Sequence, residues 1–306
     1  MPVVSVIIPC FNQGEFIKET LESVLNQTFP DFEVIITDDG SDDIQTKEIL
    51  KSLNHPKIRV IFSEHKGVCH ARNLAISEAR GEYILPLDAD DKIGKTYLKK
   101  AVDIFSENPN IGIVYCEAEY FGLLNGKWDL PSYSLEGMLN QNCIFVSAMF
   151  RKADWAKVGG FNPNMSLIRE DWDFWLSLIE NGAVVFRIPK TLFYYRKQAS
   201  SRSSVTQQSF EKSALTIVRN HINLYAQHFD CLRGEMKAAF FDVKNIRSIL
   251  KIKNINKIKY FILFFVEKMK KIPFFISKFF NFIKIYILFP FYVYKTYKLV
   301  SKRFEK

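Results

Sequence analysis

The stretch YILPLDADD, residues 83–91, is an apolar run that ends in three acids within four positions, Asp88, Asp90 and Asp91. The apolar half reads as a short buried strand. Carboxylates packed this closely repel one another unless a positive partner sits among them. If the strand belongs to a parallel sheet, the acids stand at its carboxyl edge, where ligands of such sheets bind.

The flanking sequence supplies that sheet. Residues 3–8 (VVSVII) form a buried-strand pattern, and Phe16, Ile17, Leu21, Val24 and Leu25 recur at helical spacing over 15–27. A strand at 33–37 (EVIIT) leads through the polar turn DDGSDD to a helix ending near 53, and a strand follows at 58–62. Beyond a helix at 68–79 and the strand 83–87 come a helix at 95–107 and a strand at 111–115. Strands alternating with helices at this spacing predict an α/β fold, a mostly parallel sheet flanked by helices. A second acidic pair, Asp38 and Asp39, then falls at the same edge as Asp88, Asp90 and Asp91. Either cluster alone fits a solvated turn or a helix cap. Two remote segments delivering acids to one edge point to a ligand site.

The composition narrows the ligand. The chain has 306 residues and 48% hydrophobic content, enough for one large domain with an appendage. Its five cysteines are odd in number and form no CxxC pair, which fits reduced thiols in a cytosolic protein. No secretory leader is read in MPVVSVIIPCFN. GxGxxG is absent, and so is GxxxxGK followed by Ser or Thr, so neither standard phosphate loop is present. A phosphate-bearing ligand would instead come with Mn²⁺ or Mg²⁺ held by carboxylates.

The blocks SVIIPCFNQGEFIKETLESVLNQTFPDFEVIITDDGSDD, GVCHARNLAISEARGEYILPLDADD, MFRKADWAKVGGFNPNMSLIREDWDFWLSLIENG and YYRKQASSRS resemble, in order and spacing, the family 2 glycosyltransferases of GT-A fold. The resemblance covers about residues 3 to 205. It implies an inverting, metal-dependent sugar transfer from a nucleotide-diphosphate sugar, with a UDP-sugar favoured. Pro9 and Phe11 would end the first strand beside the base, and Asp39 would bind the base. Arg72 would sit near the phosphates or hold an acid in place. Asp88 and Asp90 match the DxD motif, and Asp90 and Asp91 are the pair expected to touch ribose and metal. Asp171 takes the position of the catalytic base, with Glu170 orienting the acceptor or Asp171, and Gly160 in a turn lining the acceptor pocket. The chain departs from the family at Gln198, where many relatives carry a histidine. It also lacks QxxRW, the mark of processive synthases, so one sugar per encounter is expected.

Other readings of these residues are structural. Trp172, Trp175, Leu176 and Ile179 recur at helical spacing, so Glu170 and Asp171 also suit the N-terminal turn of an amphipathic helix. His65 and His70 lack ligand spacing and read as structural. Phe161 suits the core better than a sugar-stacking surface. Two rival functions are a degenerate sugar-nucleotide-binding or membrane scaffold protein and a nucleotidyltransferase. Retention of DADD with Asp171 argues against the first. The lack of a Gly-rich, basic N-terminal phosphate loop argues against the second.

The net charge of +9 belongs to the tail: residues 251–306 carry 14 Lys and Arg against two acids. Phe275, Phe279, Phe282, Tyr286 and Phe289 form one helical stripe with basic flanks, the pattern of a helix lying on an anionic membrane surface. A membrane span and a packing arm are the alternatives. So much apolar surface disfavours nucleic acid as a partner. The expected organisation is a glycosyltransferase domain at 1–204, a helical linker or cover at 205–250 and a membrane-associating tail at 251–306. A protein held at the cytoplasmic face of the membrane would act on a lipid-linked or cell-surface glycan.

Overall fold

A computed structural model describes residues 1–165, 169–198 and 207–241. The first half alternates strand and helix: β1 (Val4–Cys10), α1 (Gly14–Leu25), β2 (Phe32–Asp39), α2 (Ile44–Ser52), β3 (Ile58–Ser63), α3 (Val68–Glu78) and β4 (Tyr83–Pro86). Every residue of β1, β2 and β4 is buried, as expected of parallel strands covered on both faces. Then follow β5 (Lys92–Ile93), α4 (Tyr97–Glu107), β6 (Ile111–Gly122), β7 (Gly126–Trp128), α5 (Leu135–Asn140) and β8 (Met149–Arg151). The remaining elements are α6 (Lys152–Val158), α7 (Glu170–Glu180), β9 (Val184–Lys197), α8 (Gln207–Asn220), α9 (Ile222–Gln227) and α10 (Gly234–Phe241).

All nine strands join one sheet in the order β3-β2-β1-β4-β8-β6-β9-β5, with β7 on β6. The run β3-β2-β1-β4 is parallel. Beyond β4 the pairing is mixed: β8 runs antiparallel to β4 and β6, whereas β6 and β9 are parallel. The first half is therefore the parallel sheet expected from its alternation. The second half adds short antiparallel strands.

Local chemistry explains the helix placement. Asp43 caps α2 by accepting from the Thr46 backbone N–H at 2.8 Å. The Thr46 hydroxyl in turn accepts from the N–H of Gly14, the first residue of α1. A Cβ at Gly14 would lie 2.6 Å from the Thr46 Cα, so the close approach of α1 and α2 requires glycine.

The chain divides into two units, Met1–Ala239 and Phe240–Lys306. Residues 207–239 fall within the first of these units. His221 accounts for part of this: it lies between Asp173 and Glu180 of α7, 3.3 and 2.6 Å away. The expected boundary at 250 and the tail from 251 lie outside the described residues. Among the described residues no helix is long and apolar enough to cross a membrane.

Candidate active site

Three strand ends build the edge. Cys10 of β1 stands opposite Asp38 of β2, and the Leu87 N–H just past β4 donates to the Ile7 carbonyl at 2.8 Å. Parallel register thus delivers Phe11, Asp39 and Asp88 to the same side. Pro9 is buried within β1, and Phe11 follows the strand, 38% exposed, its ring stacked on His65 at 4.2 Å. The Asp39 carboxylate is buried and accepts from the backbone N–H groups of Lys66 and Gly67 at 3.0 and 2.9 Å. His65 Nδ1 lies 3.0 Å from Asp39 Oδ2. Sequence reasoning treated His65 as structural. It is bound into the same cradle as Asp39 and Phe11, a relation that no motif announced.

The DADD acids face the end of β9. Asp91 is buried, and its Oδ1 accepts from the Arg196 N–H at 2.8 Å, while its Oδ2 has no hydrogen-bond partner among the described residues. Arg196 Nε also donates to the Asp90 carbonyl at 2.8 Å, and its guanidinium pairs with Glu19 of α1. Gln198 donates from Nε2 to Asp90 Oδ2 at 2.6 Å, so the residue that departs from the family pattern sits directly on the acidic cluster. Burial, with the Asp88 charge behind it, pushes the Asp90 carboxyl up to about 6. Burial, then the charges of Asp90 and Asp88, raises Asp91 well above its ordinary value of 3.8. These groups resist ionising together, which is the behaviour of a donor set that a cation would relieve. Among the described residues no three such side chains already form a coordination arrangement. The fit to a divalent cation therefore rests on oxygen-donor chemistry, on mutual repulsion and on the orphaned Asp91 oxygen.

Arg72 of α3 ties this edge to α7. Its two terminal nitrogens donate to Asp88 Oδ1 at 2.7 Å and to Glu170 Oε1 at 2.9 Å. Burial alone would lower its pKa, but the two carboxylates outweigh burial and raise it. Arg169, just before α7, adopts a left-handed φ of 67°. This places Glu170 and Asp171 in the first helical turn, where the helix dipole favours acids. Asp171 is half-buried. Its Oδ1 accepts from the Trp172 N–H at 2.8 Å and its Oδ2 from the Asn142 amide at 3.0 Å. Burial, then repulsion from Glu170, pushes Asp171 up to about 7, against the opposing pull of Arg72. A carboxylate tuned near neutrality is suited to taking a proton.

Gly160 is buried at φ 79°, and a Cβ there would lie 2.6 Å from Asn73 Oδ1 and 2.7 Å from Trp155 Nε1. Asn73 holds this turn by accepting from Phe161 N and Trp155 Nε1 and donating to the Phe161 carbonyl. Phe161 is fully buried, stacked on Phe174 at 4.2 Å, with Arg72 over its ring. The turn thus supports the floor beneath Arg72. Sequence reasoning missed Asn142 and Asn73, because a lone asparagine carries no spacing signal.

A mixed α/β sheet flanked by helices, with acids gathered at the carboxyl edge of its parallel strands, is the arrangement of the GT-A fold. The sequence model described as Glycosyl transferase family 2 matches residues 5–172, and the chain belongs to that family. Chondroitin synthase of Escherichia coli is 32% identical over 218 residues, covering 69% of this chain and 31% of the relative. Hyaluronan synthase of Pasteurella multocida is 29% identical, covering 72% and 23%. This chain therefore spans a third or less of these two relatives. TuaG of Bacillus subtilis, whose name refers to teichuronic acid biosynthesis, is 28% identical and covers 69% and 86%. S. aureus TarS 1-349 in complex with UDP-GlcNAc superposes with a TM-score of 0.63 at 22% identity, covering 84% of this chain and 77% of that one. That likeness shows the GT-A fold.

Proposed function

We propose that the protein is an inverting glycosyltransferase that moves one sugar from a UDP-sugar to a hydroxyl of a glycan acceptor. The observation that carries this is the Arg72 bridge, which fixes the DADD edge and the start of α7 to one guanidinium. Phe11, His65 and Asp39 form the cradle for the base. Asp171 accepts the proton of the acceptor hydroxyl as that oxygen attacks the anomeric carbon. The C–O bond to the diphosphate breaks on the opposite side, so the configuration inverts and no enzyme nucleophile is needed. Asp90 and Asp91 would hold Mn²⁺ or Mg²⁺. When bound there, the cation supplies neutralisation of the charge developing on the departing diphosphate. Gln198 orients Asp90, and Arg196 orients Asp91.

The UDP-bound and UDP-GlcNAc-bound TarS structures favour a UDP-sugar, and the names of the polysaccharide relatives favour a glycan acceptor. The basic, aromatic segment 251–306 supports attachment to the inner face of the membrane and a lipid-linked or cell-surface acceptor. The test is release of UDP from UDP-GlcNAc, UDP-glucose, UDP-galactose and UDP-glucuronate with and without Mn²⁺. Metal-dependent release from one of them is expected. No release and no binding with any of them sinks the enzyme reading. Deleting 251–306 should free the protein from anionic vesicles, and unchanged partitioning would remove the membrane from the account.

A further inference from the structure

We propose that Asn142 is a positioning residue for Asp171, presenting a fixed amide donor to one carboxylate oxygen so that the other lone pair of that oxygen faces the acceptor hydroxyl. The proposal rests on the reading of Asp171 as the base.

The amide has a definite orientation. Asn142 Oδ1 accepts from the Ile144 N–H at 3.2 Å, which leaves the Nδ2 group to donate to Asp171 Oδ2 at 3.0 Å. The flipped amide would set its oxygen against a carboxylate oxygen and lose both bonds. The loop carrying Asn142 is anchored on two sides. The Gln141 N–H closes on the Gly137 carbonyl at 2.9 Å, at the end of α5. The Cys143 N–H points to Met138 Sδ at 3.5 Å, and the Met138 carbonyl accepts from Trp172 Nε1 at 2.8 Å. Trp172 is the residue after Asp171, so the donor and the carboxylate are fixed to one another through a closed circuit. Cys143 and Ile144 are fully buried, so the loop cannot swing without opening the core.

The charged groups acting on Asp171 are Glu170 and Asp88, which disfavour its ionisation, and Arg72, which favours it. Its two hydrogen bonds, from Trp172 N and Asn142 Nδ2, both stabilise the carboxylate form. Oδ1 takes the Trp172 bond and Oδ2 the Asn142 bond, which leaves one acceptor direction on each oxygen. The role assigned to Asn142 is to fix the rotamer, so that the remaining direction on Oδ2 is the one turned to the acceptor. Removing the amide donor should therefore raise the Asp171 pKa and release the carboxylate rotamer together.

The test is the pH profile of hydrolysis of whichever of the four UDP-sugars turns over, measured on the full chain with Mn²⁺, alongside UDP affinity by calorimetry. Asn142→Ala should lower kcat and move the acid limb upward by about half a unit to one unit, with UDP affinity within about twofold. Asn142→Asp, of nearly the same shape, sets a second carboxylate against Oδ2 and should move the limb further. Asn142→Ser, which keeps a donor, should lie between the alanine variant and the native protein. If the alanine variant fails to bind UDP through misfolding, the aspartate and serine variants decide. A fall in kcat with an unmoved limb makes Asn142 scaffolding and overturns the proposal, as does native turnover in the variants. Asp171→Asn in the same assay separates the two readings. Full hydrolysis by that variant overturns the base assignment itself. Its loss, with unmoved limbs in the Asn142 variants, overturns the positioning role alone.

Discussion

Arg72 and Glu170 are 98 positions apart in sequence and meet in a buried pair at 2.9 Å, with Arg72 also bonded to Asp88 at 2.7 Å. One guanidinium is thus shared between the DADD edge and the helix that carries Asp171. Arg72 is 2% exposed and Glu170 is 7% exposed in their side chains. Removing a partner from such a pair leaves a buried charge without compensation.

Arg72→Met should therefore destabilise the fold by about 3–5 kcal/mol in urea unfolding. Arg72→Lys keeps the charge but cannot span both acids with a rigid fork. It should stay folded at 25 °C and lose turnover more than UDP affinity, because the relation of Asp88 to α7 is what changes. Native turnover in Arg72→Lys would show that the two acids need no common anchor.

Asp171 gives a prediction of opposite sign for stability and activity. Its carboxyl is pushed up to about 7, so turnover should climb as pH rises through that value. A carboxyl whose folded pKa is raised stabilises the fold below its unfolded value of 3.8, and that contribution disappears as pH rises through about 7. Asp171→Asn removes the half-buried charge but sets an amide NH2 against one of the two donors that Asp171 accepts from. Its melting temperature relative to the native protein should therefore rise between about pH 5 and pH 8, whatever the offset, while turnover falls by about 10²–10⁴-fold. A relative melting temperature that falls over that range would mean that the native site welcomes the ionised carboxylate.

The parallel half of this fold was legible because its strands are continuous apolar runs and its helices keep a 3.6-residue period. The continuation was not. A strand was expected only at 111–115, yet β6 runs to Gly122; after Cys116 burial falls away, with only Ala118 still buried, and the apolar run breaks up at Glu117 and Glu119. β5, β7 and β8 have two or three residues each, too short for any period to register. The acids of the site were legible as residue types at strand and helix ends. Their partners were not, because Arg196 to Asp91, Asn142 to Asp171 and Arg72 to Glu170 are contacts that only the sheet order creates.

Gly160, expected by resemblance in a turn lining the acceptor pocket, is buried at φ 79° against Asn73 and Trp155. Gly160→Ala should cost about 1–3 kcal/mol from backbone strain and overlap. Turnover per folded molecule should change little once the variant is assayed well below its melting temperature. A selective rise in acceptor KM with native stability would instead support the acceptor-side role.

His221 should set the pH range over which α7 stays braced. It lies between Glu180, 2.6 Å from Nδ1, and Asp173, 3.3 Å from Nε2, and Asn220 donates to the same Asp173 at 2.7 Å. Burial alone would lower its pKa, but the hydrogen bonds and charges of the two acids raise it to about 9 from an ordinary 6.5. A histidine raised in this way contributes its full stability below pH 6.5 and loses it as pH climbs through about 9. His221→Gln retains hydrogen-bonding capacity without the charge. Its melting temperature should fall furthest below the native value at pH 6, with the gap narrowing steadily towards pH 9.5. A gap that stays constant across that range would show that His221 is neutral in the folded protein and braces α7 by packing alone.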